Sequence, residues 1–423
     1  MKKMILSGVT ALALLTGGVI GSGSIGSSVE AAQATLKFKD VPSTHWAAAA
    51  INSAVEQGFF QGYADGTFKP GSPVTKAEMA SILGRLTDQP NAAIQETNNF
   101  TDVPEWAKSG VSAAIVKGFI SPANYNGKLD AKASLTRGEM ATWLAQGLTV
   151  VDSDYKQALS DVSNTVIPAK EYFTGKLASN QKNAVAVALG TGLMSVANDK
   201  NFGTDRTTTR AEVAVLIARY TSVAKTKPAD FQGLNELRAV GLTGTNLSII
   251  APKYKVLPES RYPESEDYSK VTGDFAKIRN QELNTVTHYA DIKLKNWIIV
   301  NPYVKSDARS IYYPVFVDEG STLLRGAYYS FPEFEISIKT SMNQLQGGSL
   351  INSPAINPAI SPSSKAVIDY GVSHINSFLG AKGVFNVKKP TYWGLGYLHF
   401  DKTLNPRILL ERSDGTHFEI IPQ

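Results

Sequence analysis

Cysteine is absent from the sequence, and histidine is scarce, with five residues along 423 positions. The lack of thiols excludes disulfide scaffolds, thiolate metal sites and cysteine nucleophiles. The scattered histidines argue against a histidine-rich metal centre, so we expect no metal and no cofactor. The charge is nearly balanced, with 42 Lys and Arg against 37 Asp and Glu, and no five like charges are consecutive. The sequence therefore does not predict a nucleic-acid-binding arm.

Long apolar runs are confined to the first residues of the chain. Lys2 and Lys3 precede an apolar stretch, residues 5–20, and a Ser/Gly tract follows it. Small residues then offer a signal peptidase a cleavage position after Ala31 or Ala34. This pattern predicts a secretory signal peptide over residues 1–34. A membrane anchor is the weaker alternative, because glycines interrupt the run, and no later segment predicts a membrane span.

The remaining chain is long enough for two to four domains at roughly 100–200 residues each. With 43% hydrophobic residues it can build packed cores, which excludes a mainly disordered protein. We predict domains at 35–90, 97–150, 155–224 and 229–423.

An internal repeat defines the first three of these domains. The blocks begin with Phe38-Lys39-Asp40-Val41, Phe100-Thr101-Asp102-Val103 and Leu159-Ser160-Asp161-Val162. A glycine follows the first helical pattern of each block, at Gly58, Gly118 and Gly192, although the third could also align at Gly190. From the glycine to the last glutamate of the block the spacing is 20, 21 and 20 residues. This regular order predicts three helix–loop–helix repeats.

The second helix of each block opens with a capping-box pattern, in which a Thr and a Glu three residues later satisfy each other's backbone amides. The pairs are Thr75 and Glu78, Thr136 and Glu139, and Thr209 and Glu212. Capping is a sufficient structural reason for both residue types.

The residue between each Thr and Glu is basic: Lys76, Arg137 and Arg210. A cation at the start of a helix is disfavoured by roughly 0.3–1 kcal/mol. A solvated side chain or a local ion pair would explain one instance. Because three occur in register, we predict anion binding by the cations together with free helix amides.

At these residues the sequence resembles the S-layer homology family. The resemblance rests on the Phe/Leu-x-Asp-Val starts, the loop Gly62-Tyr63-Ala64-Asp65-Gly66-Thr67-Phe68 and the Thr-Arg-Ala-Glu signature, and covers residues 36–222. It implies an all-α pseudo-trimer of three repeats that binds a pyruvylated secondary cell-wall polysaccharide of a Gram-positive-type bacterium. It also implies that Lys76, Arg137 and Arg210 meet the pyruvate carboxylate, and that Gly58, Gly118 and Gly192 let the backbone approach the sugar.

Two departures from the family pattern bear on the site. Lys76 replaces the usual arginine, and block three has 31 residues between Asp161 and Gly192, which predicts a surface insertion. Trp46 and Trp106 are able to stack on sugar rings, but their pattern favours a place in the core.

The second half, 229–423, follows a predicted hinge at 224–228. Alternating patterns predict strands at 247–250, 285–304, 311–317, 323–330 and 334–339, and a helix at 366–379, which together give a β-rich mixed α+β domain. Glu333 and Glu335 share one face of a predicted strand, as a catalytic carboxylate pair would, although a solvated strand face explains them as well.

Two functions follow from these patterns. The favoured one is a non-enzymatic, exported surface protein, S-layer-like, held to the wall polymer by the repeats. In it, the β-rich half would support self-assembly or contact other surface proteins. The alternative is a wall-anchored enzyme that acts on glycan or peptidoglycan, with Glu333 and Glu335 as its first candidate residues.

Overall fold

The structure is a computed structural model that describes residues 38–86, 100–265, 267–318, 326–362, 364–400 and 407–423. The predicted signal peptide, residues 1–34, lies outside the described residues.

Thirteen helices and nine strands are present in the described part of the chain. The helices are α1 (Ala48–Glu56), α2 (Lys76–Arg85), α3 (Glu105–Val116), α4 (Arg137–Val151), α5 (Asp154–Asp161), α6 (Lys170–Phe173), α7 (Lys182–Gly190), α8 (Arg210–Val223), α9 (Gln232–Thr243), α10 (Leu247–Ile250), α11 (Tyr313–Phe316), α12 (Gln344–Gly348) and α13 (Lys365–Tyr370). The strands are β1 (Tyr254–Val256), β2 (Val271–Thr272), β3 (Glu282–Leu283), β4 (Ala290–Val300), β5 (Ala327–Ile338), β6 (Thr391–Trp393), β7 (Gly396–His399), β8 (Ile408–Glu411) and β9 (His417–Pro422). Of the helices described, none has the length and apolar character that crossing a membrane requires.

Three helical units make up the first half, and we name them by their helices. The first unit holds α1 and α2, the second α3 and α4, and the third α5, α6, α7 and α8. Just before α2, α4 and α8 the chain forms isolated bridges to another unit, at Pro73 with Thr209, Thr75 with Ser134, and Thr136 with Thr207. Each unit therefore contacts both of the others at the start of its last helix.

Two short apolar runs that the alternating pattern predicted as strands are helical. Residues 247–250 form α10, and Tyr313–Phe316 within 311–317 forms α11. Asn246, at the start of α10, explains the first case. Its side chain donates to the Ile299 carbonyl and accepts from the Ile299 amide, at 2.9 and 2.7 Å, and so takes the place that a neighbouring strand would have beside β4.

The long antiparallel pair of β4 and β5 forms the centre of a five-stranded sheet. These strands pair antiparallel from Ala290 with Ile338 to Val300 with Tyr329, with a bulge near Lys295. Instead of the two strands predicted at 323–330 and 334–339, β5 continues through Pro332. On its other edge, β5 pairs with β7 as far as Ser330 and with β6 from Glu333 onward. Pro332 therefore lies in the gap between these two partner strands. A proline without a backbone N–H is tolerated at such a gap.

A four-stranded sheet of β1, β9, β2 and β8 completes the second half. Its residues Phe418 and Ile420 share one buried cluster with Trp297 and Ile299 of β4. The predicted helix at 366–379 is shorter than expected, because it ends at Gly371, which has a φ of 70°.

One apolar core joins the two halves. Ile298 and Val300 of β4 belong to the same buried cluster as the three helical units, whereas Trp297 and Ile299 face the second cluster. Both faces of β4 are therefore buried over residues 297–300, which explains the continuous apolar run there. The predicted hinge at 224–228 is tied back, since the Tyr155 hydroxyl donates to the carbonyls of Val223 and Thr226 at 3.1 and 2.9 Å.

Candidate functional site at the junction of the helical units

The starts of α2, α4 and α8 each carry the two reciprocal hydrogen bonds of a capping box. At α2, the Glu78 amide donates to the Thr75 hydroxyl at 3.3 Å, and the Thr75 amide donates to the Glu78 carboxylate at 2.8 Å. Thr136 with Glu139 and Thr209 with Glu212 repeat the arrangement. The third amide of each helix is therefore satisfied within its own unit.

The first two amides of each helix donate to carbonyls of another unit. The six bonds, of 2.8 to 3.0 Å, run from Lys76 to Ala133, Ala77 to Ala131, Arg137 to Arg206, Gly138 to Thr204, Arg210 to Ser72 and Ala211 to Pro70. The prediction that these amides are free to bind an anion is wrong. Backbone carbonyls of the neighbouring unit already accept hydrogen bonds from these amides, and the sequence pattern does not reveal those partners.

The side chains of the three cations follow the same cyclic order. Lys76, Arg137 and Arg210 are only 7%, 7% and 8% exposed. The Lys76 ammonium lies 2.6 Å from the Glu139 carboxylate of the second unit and 3.9 Å from that of Asp130. The alternative explanation, an ion pair, therefore applies to Lys76. Unlike an arginine, its ammonium group has no planar set of N–H donors with which to bind several backbone carbonyls at once.

The two arginines hold loops of the neighbouring unit. The Arg137 Nε and Nη2 groups donate to the carbonyls of Phe202 and Ser195, both at 2.8 Å, and Nη1 lies 3.6 Å from the Glu212 carboxylate. Burial lowers the Arg137 pKa, Arg206 lowers it further, and the Glu212 carboxylate opposes both effects. An arginine stays charged under such shifts, so Arg137 is a buried cation with rigid partners.

Arg210 makes the equivalent contacts with the first unit and also has aromatic neighbours. Its Nε and Nη2 donate to the carbonyls of Phe68 and Gln61 at 2.8 Å. Burial lowers the Arg210 pKa, whereas Tyr63, Glu78 and Asp40 raise it. The guanidinium carbon lies 4.5, 4.8 and 5.1 Å from the ring centroids of Phe68, Phe60 and Tyr63.

Part of this cluster reaches the surface. The Tyr63 ring is 40% exposed, and the Lys69 ammonium lies 4.0 Å from its centroid. Tyr63 and Lys69 thus form the outward side of the contact between the first and third units.

In each unit, a carboxylate accepts hydrogen bonds from the loop that precedes the last helix of the unit. Asp40 accepts from the amides of Phe68 and Lys69, both at 2.8 Å, and Asp102 accepts from those of Leu129 and Ala131, both at 2.9 Å. Burial raises the pKa of both carboxyls, but the backbone donors outweigh it and hold each pKa below its usual value.

The third unit uses Glu171 in this role. Glu171 accepts from the amides of Phe202 and Gly203 at 2.8 and 2.6 Å. Asp161, which the repeat pattern aligns with Asp40 and Asp102, instead pairs with Arg238 of α9 at 2.9 Å. The third block is therefore long because its loop-fixing carboxylate is a glutamate at a later position. A search for the Asp-Val pattern does not detect this glutamate.

The three glycines share a left-handed conformation, with φ values of 75°, 75° and 70° at Gly58, Gly118 and Gly192. The alignment at Gly192 is therefore favoured over Gly190, which lies within α7. A Cβ at Gly58 or Gly192 would meet nothing within 4 Å, whereas at Gly118 it would lie 2.3 Å from a Val150 methyl. Two of the three positions are thus open to a ligand.

The tryptophans lie outside the core. Trp46 and Trp106 are 62% and 64% exposed, so the preference for a core position is wrong. They precede α1 and begin α3 at equivalent places of two units. Exposed rings of this size are able to stack on a sugar.

Glu333 and Glu335 lie on the same strand, β5, in different environments. Burial raises the Glu333 pKa, although Asn296, which donates to it at 2.5 Å, opposes the shift. Glu335 lies 3.6 Å from the Lys295 ammonium. The catalytic pair stays a prediction.

Comparison with known proteins agrees with the repeat pattern. The model of the S-layer homology domain family matches residues 37–80 and 178–214. These two regions of the first half are therefore similar to S-layer homology domains, and a β-containing C-terminal part follows them.

Named relatives include a cellulosome-anchoring protein of Acetivibrio thermocellus, 34% identical over 20% of this chain and 20% of its own length. The surface-layer 125 kDa protein of Lysinibacillus sphaericus is 31% identical over 30% of this chain and 11% of its own length. The S-layer protein sap of Bacillus anthracis is 27% identical over 51% of this chain and 24% of its own length. The chain thus spans a quarter or less of these relatives.

Proposed function

We propose that this chain is an exported surface protein, anchored non-covalently to an acidic cell-wall polymer by its S-layer homology units. The observation that carries the proposal is the family match, which falls on two of three units that share one cyclic set of contacts. The relatives named as anchoring and S-layer proteins support a place at the cell surface.

The three helical units act together as one pseudo-trimeric anchor, with the third extending over 155–224. The cyclic exchange of backbone hydrogen bonds supports this reading, because each unit satisfies its helix amides with carbonyls of one neighbour and supplies carbonyls to the helix amides of the other. An anchor of this kind offers up to three related grooves to one polymer strand, and simultaneous binding would increase its avidity.

The ligand in this proposal is a pyruvylated polysaccharide of a Gram-positive-type wall. Arg210 uses Nε and Nη2 on carbonyls and has no carboxylate within 4 Å among the described residues, so its Nη1 is the group best placed to reach a ketal carboxylate. Arg137 makes the same two bonds, but its Nη1 already lies 3.6 Å from the Glu212 carboxylate. Lys76 is already neutralised by Glu139 at 2.6 Å, so we expect its groove to bind most weakly.

The exposed tryptophans provide the cleanest test, because they are removable without opening the junction. The Trp46→Ala, Trp106→Ala double variant should sediment with purified wall fragments at least tenfold less than the parent, since stacking on a sugar ring contributes about 1 kcal/mol or more per ring. Leu242→Ala is the matched control, as Leu242 is 59% exposed on α9.

Removal of pyruvyl groups from the wall by mild acid tests the acidic ligand. Binding of the parent should then fall to the level of the double variant. Full binding to depyruvylated walls would contradict the ketal assignment, and full binding of the tryptophan variant would contradict the stacking surface. Self-assembly or other protein contacts of the β-rich half stay predictions.

A further inference from the structure

A polar cleft of about 420 Å³ lies between the third helical unit and the β-rich half. We call it the junction cleft. Its lining includes Asn164, Tyr172 and Lys182 from the helical side and Arg279, Asn280 and Lys295 from the β-rich side. It is separate from the contacts between units described above, and its size is within the range of about 300–1,000 Å³ that holds small ligands.

The lining carries positive charge. It contains Lys182, Arg279 and Lys295 and no Asp or Glu. Lys295 is partly neutralised by Glu335, at 3.6 Å, whereas Lys182 has no carboxylate within 4 Å in the described part of the chain. The Lys182 ammonium lies 6.0 Å from the centroid of the Tyr172 ring. A half-buried cation without a counter-ion favours an anionic ligand.

Arg279 makes the cleft rigid. Its guanidinium donates to the carbonyls of Lys295, Gly241 and Asn164 at 2.9, 3.1 and 3.0 Å, and to the Asn296 side chain at 2.8 Å. These contacts join the third unit, the end of α9 and β4. Four of its five N–H donors are used, which leaves one on Nη1. A ligand would therefore enter a preformed site, which lowers the entropic cost of binding.

The other polar groups suit a hydroxyl-rich ligand. Among the residues described, the Tyr172 hydroxyl has no hydrogen-bond partner, and burial raises its pKa, with Glu333 adding to the rise. It is therefore a neutral donor, carried by the only aromatic ring of the lining. Amide side chains at Asn164 and Asn280 border the same space. An aromatic ring beside amides and hydroxyls is suited to a sugar, whose faces are apolar and whose edges are polar.

We propose that the junction cleft binds an acidic saccharide of one or two rings, with its carboxylate at Lys182 and its hydroxyls at Tyr172 and the asparagines. The site goes beyond the proposed anchor, since it uses none of the residues assigned to wall attachment.

Two small probes test the proposal with the full chain. Methyl β-D-glucuronide and methyl β-D-glucoside differ in one carboxylate, and calorimetric titration measures the affinity of each. The parent should bind the glucuronide about tenfold more tightly, as one charge-assisted hydrogen bond would give. Lys182→Gln should remove this preference. Lys253→Gln, which changes an exposed lysine of the other half, should keep it.

Lys182→Gln should fold, because it removes a cation from the start of α7, where the helix dipole disfavours one. A second variant, Tyr172→Phe, should weaken both glycosides equally, because it removes a donor to hydroxyls and leaves the charge.

Three results would overturn the proposal: no preference for the glucuronide in the parent, the same preference in Lys182→Gln, or equally tight binding of inorganic phosphate. The tryptophan double variant should bind the glucuronide normally, so failure of the cleft and failure of the anchor are distinguishable.

Discussion

At the scale of single residues, the cations at the starts of α2, α4 and α8 have a structural role that offsets their unfavourable position. The helix dipole disfavours each by about 0.3–1 kcal/mol. A charge-assisted hydrogen bond contributes about 1.5–3 kcal/mol, and Arg137 and Arg210 each make two such bonds. Alanine at these positions would therefore weaken the junction as well as any ligand contact, so it does not isolate binding.

Arg137 and Arg206 form a matched pair for this argument, because both approach Glu212, at 3.6 and 3.1 Å. Arg137→Ala should lower the free energy of unfolding by about 3 kcal/mol, since it leaves two loop carbonyls without their charged donor, whereas Glu212 keeps Arg206. Arg206→Ala should lower it by about 0.5 kcal/mol, because that side chain is 51% exposed. Urea unfolding followed by circular dichroism measures both values. Equal losses would contradict the structural role of Arg137.

The sequence revealed these residues but not their partners. The capping pairs are local, three residues apart, and the repeat pattern shows them directly. The carbonyls that Arg137 contacts belong to Ser195 and Phe202, 58 and 65 positions further along the chain. Only the assembled units bring them together, so the pattern suggested free cations and free amides where the structure has neither.

At the scale of elements, α9 joins the β-rich half to the third helical unit through a close approach to the end of α5. A Cβ at Gly241 would lie 1.9 Å from the Asp161 carbonyl oxygen. Arg238, one turn earlier, pairs with the Asp161 carboxylate at 2.9 Å. The glycine thus permits a helix contact that the ion pair then fixes.

Gly241→Ala should destabilise the protein by about 2–3 kcal/mol, because α9 must move away from α5 to accommodate the methyl group. Gly71→Ala is the control, since a Cβ there would meet nothing within 4 Å, and it should change stability by less than about 1 kcal/mol. Thermal unfolding of the two variants gives the comparison. A Gly241→Ala protein as stable as its control would show that this helix contact does not contribute to stability.

Short apolar elements show the limit of local patterns. Long helices of the repeats follow from periodicity and capping, and β4 follows from its apolar run. Four-residue segments such as Leu247–Ile250 and Tyr313–Phe316 read equally well as strand or helix. Contacts made elsewhere decide them, as the Asn246 side chain does by bonding to Ile299 of β4.

At the scale of the whole molecule, the helical and β-rich halves share an apolar cluster. The described residues from 38 onward belong to one compact unit, and the cluster includes Val185 of the third helical unit, Leu237 of α9 and Val300 of β4. The hinge at 224–228 is predicted from the polar composition of the segment. Composition does not reveal that the buried Tyr155 binds this segment. The boundary at 229 stays a prediction about domains, yet the segment before it is held by Tyr155.

Trypsin tests whether this segment opens in the native protein. The bond after Lys225 is exposed, but the neighbouring Val223 and Thr226 carbonyls are held by the Tyr155 hydroxyl, so the native chain should resist cleavage there. Tyr155→Phe should speed the cut about fivefold or more, because each lost hydrogen bond contributes about 1 kcal/mol to closure.

Tyr63→Phe is the control, since Tyr63 is 40% exposed in the first unit and lies in a different element. Mass spectrometry of the fragments over time identifies the first cut. Rapid cleavage at Lys225 in the parent would support the flexible hinge that the composition predicts. It would also mean that the helical half moves independently of the β-rich half, and the junction cleft between them would then lose the rigidity on which its proposed affinity depends.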